Sequence, residues 1–287
     1  MEIFGVPSAL LGSQLLVGLI NGSFYAILSL GLAIIFGLLN IINFTHGAQY
    51  MMGAFVAWIA LNKLGINYWV ALLFAPIVIG ALGVLIERTM LRKLYKLDHL
   101  YGLLLTFGLA LIFEGIFRDQ YGISGQSYPV PELLQGGVNL GFMFLPIYRG
   151  WVVVAALTVC FATWFVIEKT KLGAYLRAGT ENPQIVQALG INVPLLITFT
   201  YGFGVALAAF AGVLAAPIYQ VSPLMGSNLI IVVFAVVVIG GMGSIMGSIL
   251  TGIGLGLIEG LTRVFYPEAS AVVVFVIMVI VLLVRPA

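Results

Sequence analysis

The sequence predicts an all-α integral membrane protein: a polytopic bundle of eight or nine transmembrane helices, with broken or re-entrant segments and a candidate internal repeat. Three observations predict it. Charged residues are too scarce to solvate a globular surface, apolar runs of membrane-spanning length follow one another along the chain, and the basic residues gather in two linkers.

Of 287 residues, 62% are hydrophobic and 8% carry a formal charge. A soluble domain devotes about 25% of its residues to charge. With so few, most of the exterior must face lipid, where every backbone polar group has to be paired within the chain. The net charge of +2, with no basic run interleaved with aromatics, excludes a nucleic-acid partner. The one cysteine, Cys160, lies in an apolar run and reads as a buried structural thiol. No basic n-region precedes the first apolar stretch, so that stretch reads as a retained helix rather than a removable signal.

A span needs roughly 20 apolar residues. Candidates fall at 10–38, 46–62, 67–88, 99–118, 150–168, 195–218, 228–248, 249–264 and 269–285. The first is long and is expected to be interrupted at Asn21-Gly22-Ser23. Seven of the twelve basic residues, Arg88, Arg92, Lys93, Lys96, Lys169, Lys171 and Arg177, mark the 87–99 and 169–194 linkers as cytoplasmic. The Gly/Pro-rich 120–148 stretch and the 220–227 turn then lie outside; with nine spans the N-terminus is outside and the C-terminus inside. The whole chain, 1–287, is expected to form one transmembrane domain containing the 169–194 cytoplasmic loop.

Small residues recur every fourth position at Ser244, Ser248, Gly252, Gly256 and Gly260, with a shorter ridge at Gly18, Gly22 and Ala26. Such ridges let helices approach closely. Two interruptions, Asn40 to Gly47 and Gly240 to Ser244, sit in corresponding halves, and each is followed by Met-Gly (Met52-Gly53, Met246-Gly247). Either they are tight cytoplasmic turns, or they are paired broken helices of the kind that line a translocation route.

Polar groups in the apolar runs are few. His46 is either a functional group at membrane depth or a neutral histidine bonding backbone at a helix break; it has no carboxylate or ligand companions for a proton relay or a metal site. Glu114 with Arg118, and Glu259 with Arg263, are spaced for local i,i+4 ion pairs. Glu87 and Arg88 read as a solvated helix end. No catalytic motif is present: there is no Gly-Lys dipeptide for a P-loop, no Gly-x-Ser-x-Gly, no His-Glu-x-x-His and no aspartate pair. Energy for moving a solute would therefore come from a partner or an ion gradient, and no cofactor is expected.

In the second basic linker, Thr180 or Asn182 can cap a short helix with Pro183 at its start and Gly190 at its end. Its apolar residues Ile185, Val186 and Leu189 share one side, to pack on the bundle or to fit a groove on a cytoplasmic partner.

The motifs resemble a known family. Gly173-x-x-Leu176-Arg177-Ala178, then Asn182-Pro183, then Ala188-x-Gly190-Ile191-Asn192 resemble the coupling loop of ABC-importer permeases for branched-chain amino acids, the LivH type of the hydrophobic amino-acid uptake family. So do Asn21-Gly22-Ser23-x-Tyr25-Ala26, Asn43-Phe44-x-His46-Gly47, Met52-Gly53-Ala54, the run from Ala211 to Pro217, Pro223-x-Met225-Gly226, and Gly240 to Ser244. Together they cover nearly the whole chain.

The resemblance implies a multi-pass permease of the bacterial inner membrane. It would pair with a related LivM-type permease, two cytoplasmic ATP-binding subunits and a periplasmic or extracellular solute-binding protein. Arg177, Glu181, Asn182, Ala188, Gly190 and Ile191 would couple to the ATPase, with Glu181 through Ile191 in the docking helix. Asn21, Ser23, Tyr25, Asn43, Thr45, His46 and Gly47 would line the substrate pathway. Gln49 stands where the family often has an acidic residue, and Arg285-Pro286-Ala287 ends short of the family's usual tail. Relatives that carry urea, short amides or small carboxylates leave the substrate open, and an ion-coupled transporter or channel is the rival of another class.

Overall fold

The computed structural model describes residues 2–3, 6–39, 42–95 and 97–284. Asn40, Ile41, Lys96 and 285–287, on which parts of the first break, the basic linker and the tail were read, lie outside them. The chain opens with a short antiparallel pair, β1 (Glu2–Ile3) and β2 (Val6–Pro7), and then is helical: α1 (Ser8–Leu39), α2 (Thr45–Leu64), α3 (Tyr68–Thr89) and α4 (His99–Tyr121). A hairpin of β3 (Gly137–Asn139) and β4 (Phe144–Pro146) precedes α5 (Ile147–Lys169). The 169–194 linker forms α6 (Lys171–Glu181) and α7 (Pro183–Ala188); α8 (Val193–Ala215), α9 (Ser227–Gly240), α10 (Ile245–Phe265) and α11 (Val273–Val284) follow.

Six of these, α1, α3, α4, α5, α8 and α10, are long and apolar enough to cross a membrane. The polar-ended α2 and the shorter apolar α9 and α11 complete the eight or nine expected segments.

One expected break is absent. α1 runs 32 residues without interruption through Asn21-Gly22-Ser23, about 48 Å at 1.5 Å per residue. Breaking it in lipid would orphan backbone groups, and Ser23 instead donates its hydroxyl to the Leu19 carbonyl one turn back at 2.8 Å. A second boundary moves. The expected division at 248/249 falls at 241–244, where Gly241 and Gly243 take φ of +91° and +90°, a region that costs glycine nothing. The side chain of Ser244 then caps α10 by accepting from the Gly247 N–H at 3.0 Å.

The two small-residue ridges read separately in the sequence pack on each other. A Cβ on Gly256 would lie 2.4 Å from the Gly18 carbonyl oxygen and 2.4 Å from Gly22 N, and one on Gly252 would lie 2.6 Å from Ala26 N. α1 and α10 thus touch backbone to backbone. The same device seats the buried α8: Gly212 faces the Tyr50 carbonyl of α2, Gly204 faces Gly31 of α1, and Gly202 faces Gly80 of α3. Without a hydrophobic force between helices in lipid, such close approach is a main source of cohesion.

The ends are tied by polar groups. At the end where α3 and α5 begin, Trp151 donates to the Tyr68 hydroxyl at 3.2 Å and Tyr148 donates to the Leu214 carbonyl at 2.9 Å, an aromatic cluster of the kind found at membrane interfaces. At the other end, where α3 finishes, Glu87 is not the solvated residue expected. It is 1% exposed and accepts hydrogen bonds from Tyr95 at 2.8 Å and Thr198 at 2.7 Å, joining α3, the following linker and the start of α8. Burial, and then the bonded carboxylate, push the Tyr95 hydroxyl above its ordinary range, so it stays protonated and keeps donating.

Candidate functional site

The polar groups of the bundle form two separate sets, where the sequence placed them on one pathway. The first lines a cavity of about 360 Å³ between α1, α2, α10 and the turn before α9. On α1, Asn21 and Tyr25 are one turn apart and so share a face. Tyr25 donates to Glu259 of α10 at 2.8 Å, and Arg263, one turn further on, closes an ion pair with the same carboxylate. Tyr219, in the turn after α8, donates to the Asn21 side-chain oxygen at 3.1 Å, and its ring meets Phe24 edge-on at 5.8 Å. Tyr50, Met225 and Leu229 give the cavity an apolar wall. Both carboxylate oxygens of Glu259 are engaged, while Arg263 is 38% exposed and keeps donors free for a ligand. A cation, a carboxylate acceptor, amides and an apolar wall are the complement of a small zwitterion with an apolar side chain.

The second set is closed. Asn43, Thr45, His46 and Gln49 are all 0% exposed. Asn43 donates to Gln49 at 3.3 Å, Gln49 donates to Thr45 at 3.2 Å, and Thr45 donates back to Asn43. This ring satisfies the polar side chains at the start of α2, beside the break. Gln49, where an acidic residue was weighed, serves because an amide can donate and accept at once. His46 projects into the notch left by Gly31, and its Nε2 donates to the Leu28 carbonyl at 3.0 Å; a carbonyl can only accept, so the proton is on Nε2. Its Nδ1 has no partner among the described residues. The geometry is that of a histidine pinning α2 to α1.

Ser23 is also fully buried, and its hydroxyl bonds within its own helix. Gly47 lets α2 approach the 222–226 turn, since a Cβ there would lie 2.7 Å from the Gly226 carbonyl oxygen. Of the seven pathway candidates, Asn21 and Tyr25 line this cavity, and Ser23, Asn43, Thr45, His46 and Gly47 lie outside it. The sequence reading missed Tyr50, Tyr219 and the reach of Glu259 beyond its own helix. Glu259 in an apolar run was the available signal, and nothing local marks Tyr219. His46→Ala is expected to lower stability by about 3 kcal/mol, from the lost bond and the space left behind. The apparent affinity of the surviving folded protein for solute should stay unchanged; a melting curve and uptake kinetics check the two halves.

The 169–194 linker forms two helices where one was expected. Glu181 ends α6 rather than entering the docking helix, and Asn182 caps α7, its side chain accepting from the Ile185 N–H at 3.3 Å. α7 ends at Ala188, and Gly190 follows at φ +86°. Gly173 is required at the α5–α6 corner, where a Cβ would lie 1.6 Å from the Ile167 carbonyl oxygen. Val186 packs on the bundle, but Ile185 and Leu189 are 58% and 75% exposed. Arg177, Glu181, Asn182, Ala188 and Gly190 are exposed beside them, with Ile191 half-buried.

Among the described residues, no group of three His, Cys, Asp or Glu could hold a metal. A many-helix membrane bundle with a polar cavity on one side and a capped, apolar-tipped loop on the other defines a multi-pass membrane permease. The chain belongs to the family described as "Branched-chain amino acid transport system / permease component", whose model matches residues 14–282. It is 33% identical to the high-affinity branched-chain amino acid transport system permease protein BraD of Pseudomonas aeruginosa, over 95% of this chain and 93% of that one. LivH of Salmonella typhimurium is 30% identical over 95% of this chain and 93% of its own length. LivM of the same organism is 28% identical over 91% of this chain but 66% of its own. No solved structure matches.

Proposed function

We propose that the chain is the membrane-spanning permease subunit of an ATP-driven importer in the inner membrane, passing branched-chain or other hydrophobic amino acids received from a solute-binding protein. It pairs with a second, LivM-type permease, and two ATP-binding subunits dock on the cytoplasmic loop. The observation that carries this reading is the cavity of about 360 Å³ between Asn21, Tyr25, Glu259 and Arg263 on one side and Leu229 and Met225 on the other. Arg263 is placed to meet a carboxylate, Glu259 an ammonium group, and the apolar wall an aliphatic side chain. Urea or a short amide would leave that wall unused.

The test is uptake of labelled leucine by the reconstituted importer. Glu259→Gln and Tyr25→Phe are each expected to lower the uptake rate about 10-fold with the ATPase subunits still attached, each removing a charge-assisted bond worth about 1.5–3 kcal/mol. Unchanged uptake in both would remove the cavity from the pathway. The docking reading is tested separately. Leu189→Glu puts a charge on the exposed tip of the loop and is expected to abolish co-purification of the ATPase; retention at the native level contradicts it.

A further inference from the structure

We propose that the hydroxyl of Tyr50 is a solute contact, the group by which the cavity tells a hydrogen-bonding side chain from an aliphatic one of the same shape; this rests on the reading of that cavity as the amino-acid pathway. The ring of Tyr50 belongs to the apolar wall, but its hydroxyl is a polar point set into that wall.

Tyr25, Tyr50 and Tyr219 all line the cavity. Two of these hydroxyls are used within the protein: Tyr25 donates to Glu259 at 2.8 Å, and Tyr219 to the Asn21 side-chain oxygen at 3.1 Å. Tyr50 is only 1% exposed, yet its hydroxyl has no hydrogen-bond partner among the described residues. Unpartnered side-chain atoms sealed from all open space occur at His46 Nδ1, Tyr128 Oη and Tyr201 Oη. Tyr50 Oη is not sealed in that way, and the open space that Tyr50 borders is the cavity. A buried tyrosine hydroxyl usually finds a partner, and leaving one without costs more than a made bond returns. Gln220 and Asn228 also line the cavity, but they are exposed and water serves them. Tyr50 depends on what the cavity holds.

The placement of Tyr50 decides which part of the solute it meets. Gly47 brings α2 against the 222–226 turn, where a Cβ would lie 2.7 Å from the Gly226 carbonyl oxygen. Tyr50 follows three residues on, along the same face of α2. It therefore stands with Met225 in the wall, whereas Glu259 and Arg263 belong to α10. With the charged groups of an amino acid held at Glu259 and Arg263, its side chain is the part that reaches Tyr50. An aliphatic tip there displaces water from the hydroxyl and returns no bond. A side-chain hydroxyl returns one, and its own loss of water is offset by the same bond. A site with a buried polar group of this kind discriminates between isosteres that an apolar wall would treat alike.

Valine and threonine share a shape and differ by a methyl against a hydroxyl, which makes the test direct. Tyr50→Phe removes the hydroxyl that would tell them apart. No protein hydrogen bond is lost with it, so the melting temperature should not move. Uptake of labelled valine and of labelled threonine is measured in the reconstituted importer, each at a concentration that saturates the binding protein, so that the permease sets the rate. The threonine-to-valine uptake ratio is expected to fall about 10-fold in Tyr50→Phe, the effect of one hydrogen bond in a closed site, with valine uptake at or above the native level. Tyr219→Phe, whose hydroxyl is already used on Asn21, is expected to change both uptakes alike. An unchanged ratio in Tyr50→Phe, or an equal shift in Tyr219→Phe, overturns the assignment and leaves the cavity reading standing. Both uptakes falling together with the melting temperature shows a structural hydroxyl and overturns it too. A native importer that carries valine but no threonine overturns it likewise, and one that carries neither overturns the amino-acid reading itself.

Discussion

Gly256→Val is expected to abolish assembly of the bundle. A Cβ at this position would lie 2.4 Å from Gly18 O and from the N and Cα of Gly22. All three are backbone atoms of α1, so no rotamer change makes room. α10 would have to move away from α1 by an ångström or more, and the contacts at Gly252 and Gly260 would open with it. Overpacking costs about 1–3 kcal/mol where side chains can yield; here the cost lies at or above the top of that range, and it falls on the interface that holds the cavity's Tyr25–Glu259 bond. Gly254, two residues away on the same helix, has nothing within 4 Å. Gly254→Val should therefore be tolerated. Folded protein recovered from membranes, read by size-exclusion in detergent, is expected to fall at least 10-fold for Gly256→Val and less than two-fold for Gly254→Val. Equal recovery of the two contradicts the ridge-on-ridge packing.

The next largest effect is expected at Glu87, where α3 meets α8. Glu87→Ala leaves the Thr198 and Tyr95 hydroxyls without their carboxylate. Thr198 keeps the Pro194 carbonyl one turn back as an acceptor at 2.9 Å, so what is lost is the tie between α3 and α8. Losing the two hydrogen bonds to the charged carboxylate costs about 2–4 kcal/mol in total. The location matters more than the size. Thr198 lies just past Asn192, whose side chain caps α8 by accepting from the Leu195 N–H at 3.1 Å. The carboxylate therefore ties α3 to the segment through which movement of the 169–194 linker would reach α8. A melting temperature several degrees lower is expected, with uptake falling more than ATP hydrolysis does. Glu87→Gln, which keeps one acceptor, should lie between. A variant in which hydrolysis and uptake fall in proportion would show that Glu87 serves stability alone.

Much of this was legible in the sequence. Scarcity of charge in the 287-residue chain specified the membrane, and the run of apolar segments specified its helices. The glycine ridges announced tight packing, although only the structure pairs Gly18 and Gly22 with Gly252 and Gly256. Asn182, Pro183 and Gly190 marked the ends of α7 correctly because capping is local chemistry. What failed was whatever depends on a distant partner. Asn21-Gly22-Ser23 looked like a break because these residues disfavour helices in water; in the bundle, Gly22 makes room for α10 and Ser23 bonds within its own turn. Glu87 beside Arg88 looked solvated, but Thr198, more than a hundred residues later, folds over it. His46 and Asn43 stood out as rare polar groups at membrane depth, but the groups they bond, the Leu28 carbonyl and Gln49, could not be read from local pattern. Tyr219 enters the cavity through a turn whose course no local pattern foretold.

The most direct measurement of the central claim is leucine accumulation in liposomes holding this chain, its permease partner, the two ATPase subunits and the binding protein. Accumulation is expected only with ATP inside and binding protein outside, and it should be lost when Leu189→Glu detaches the ATPase. Leucine flux through liposomes containing this chain alone, driven by an ion gradient and indifferent to ATP, would contradict the account.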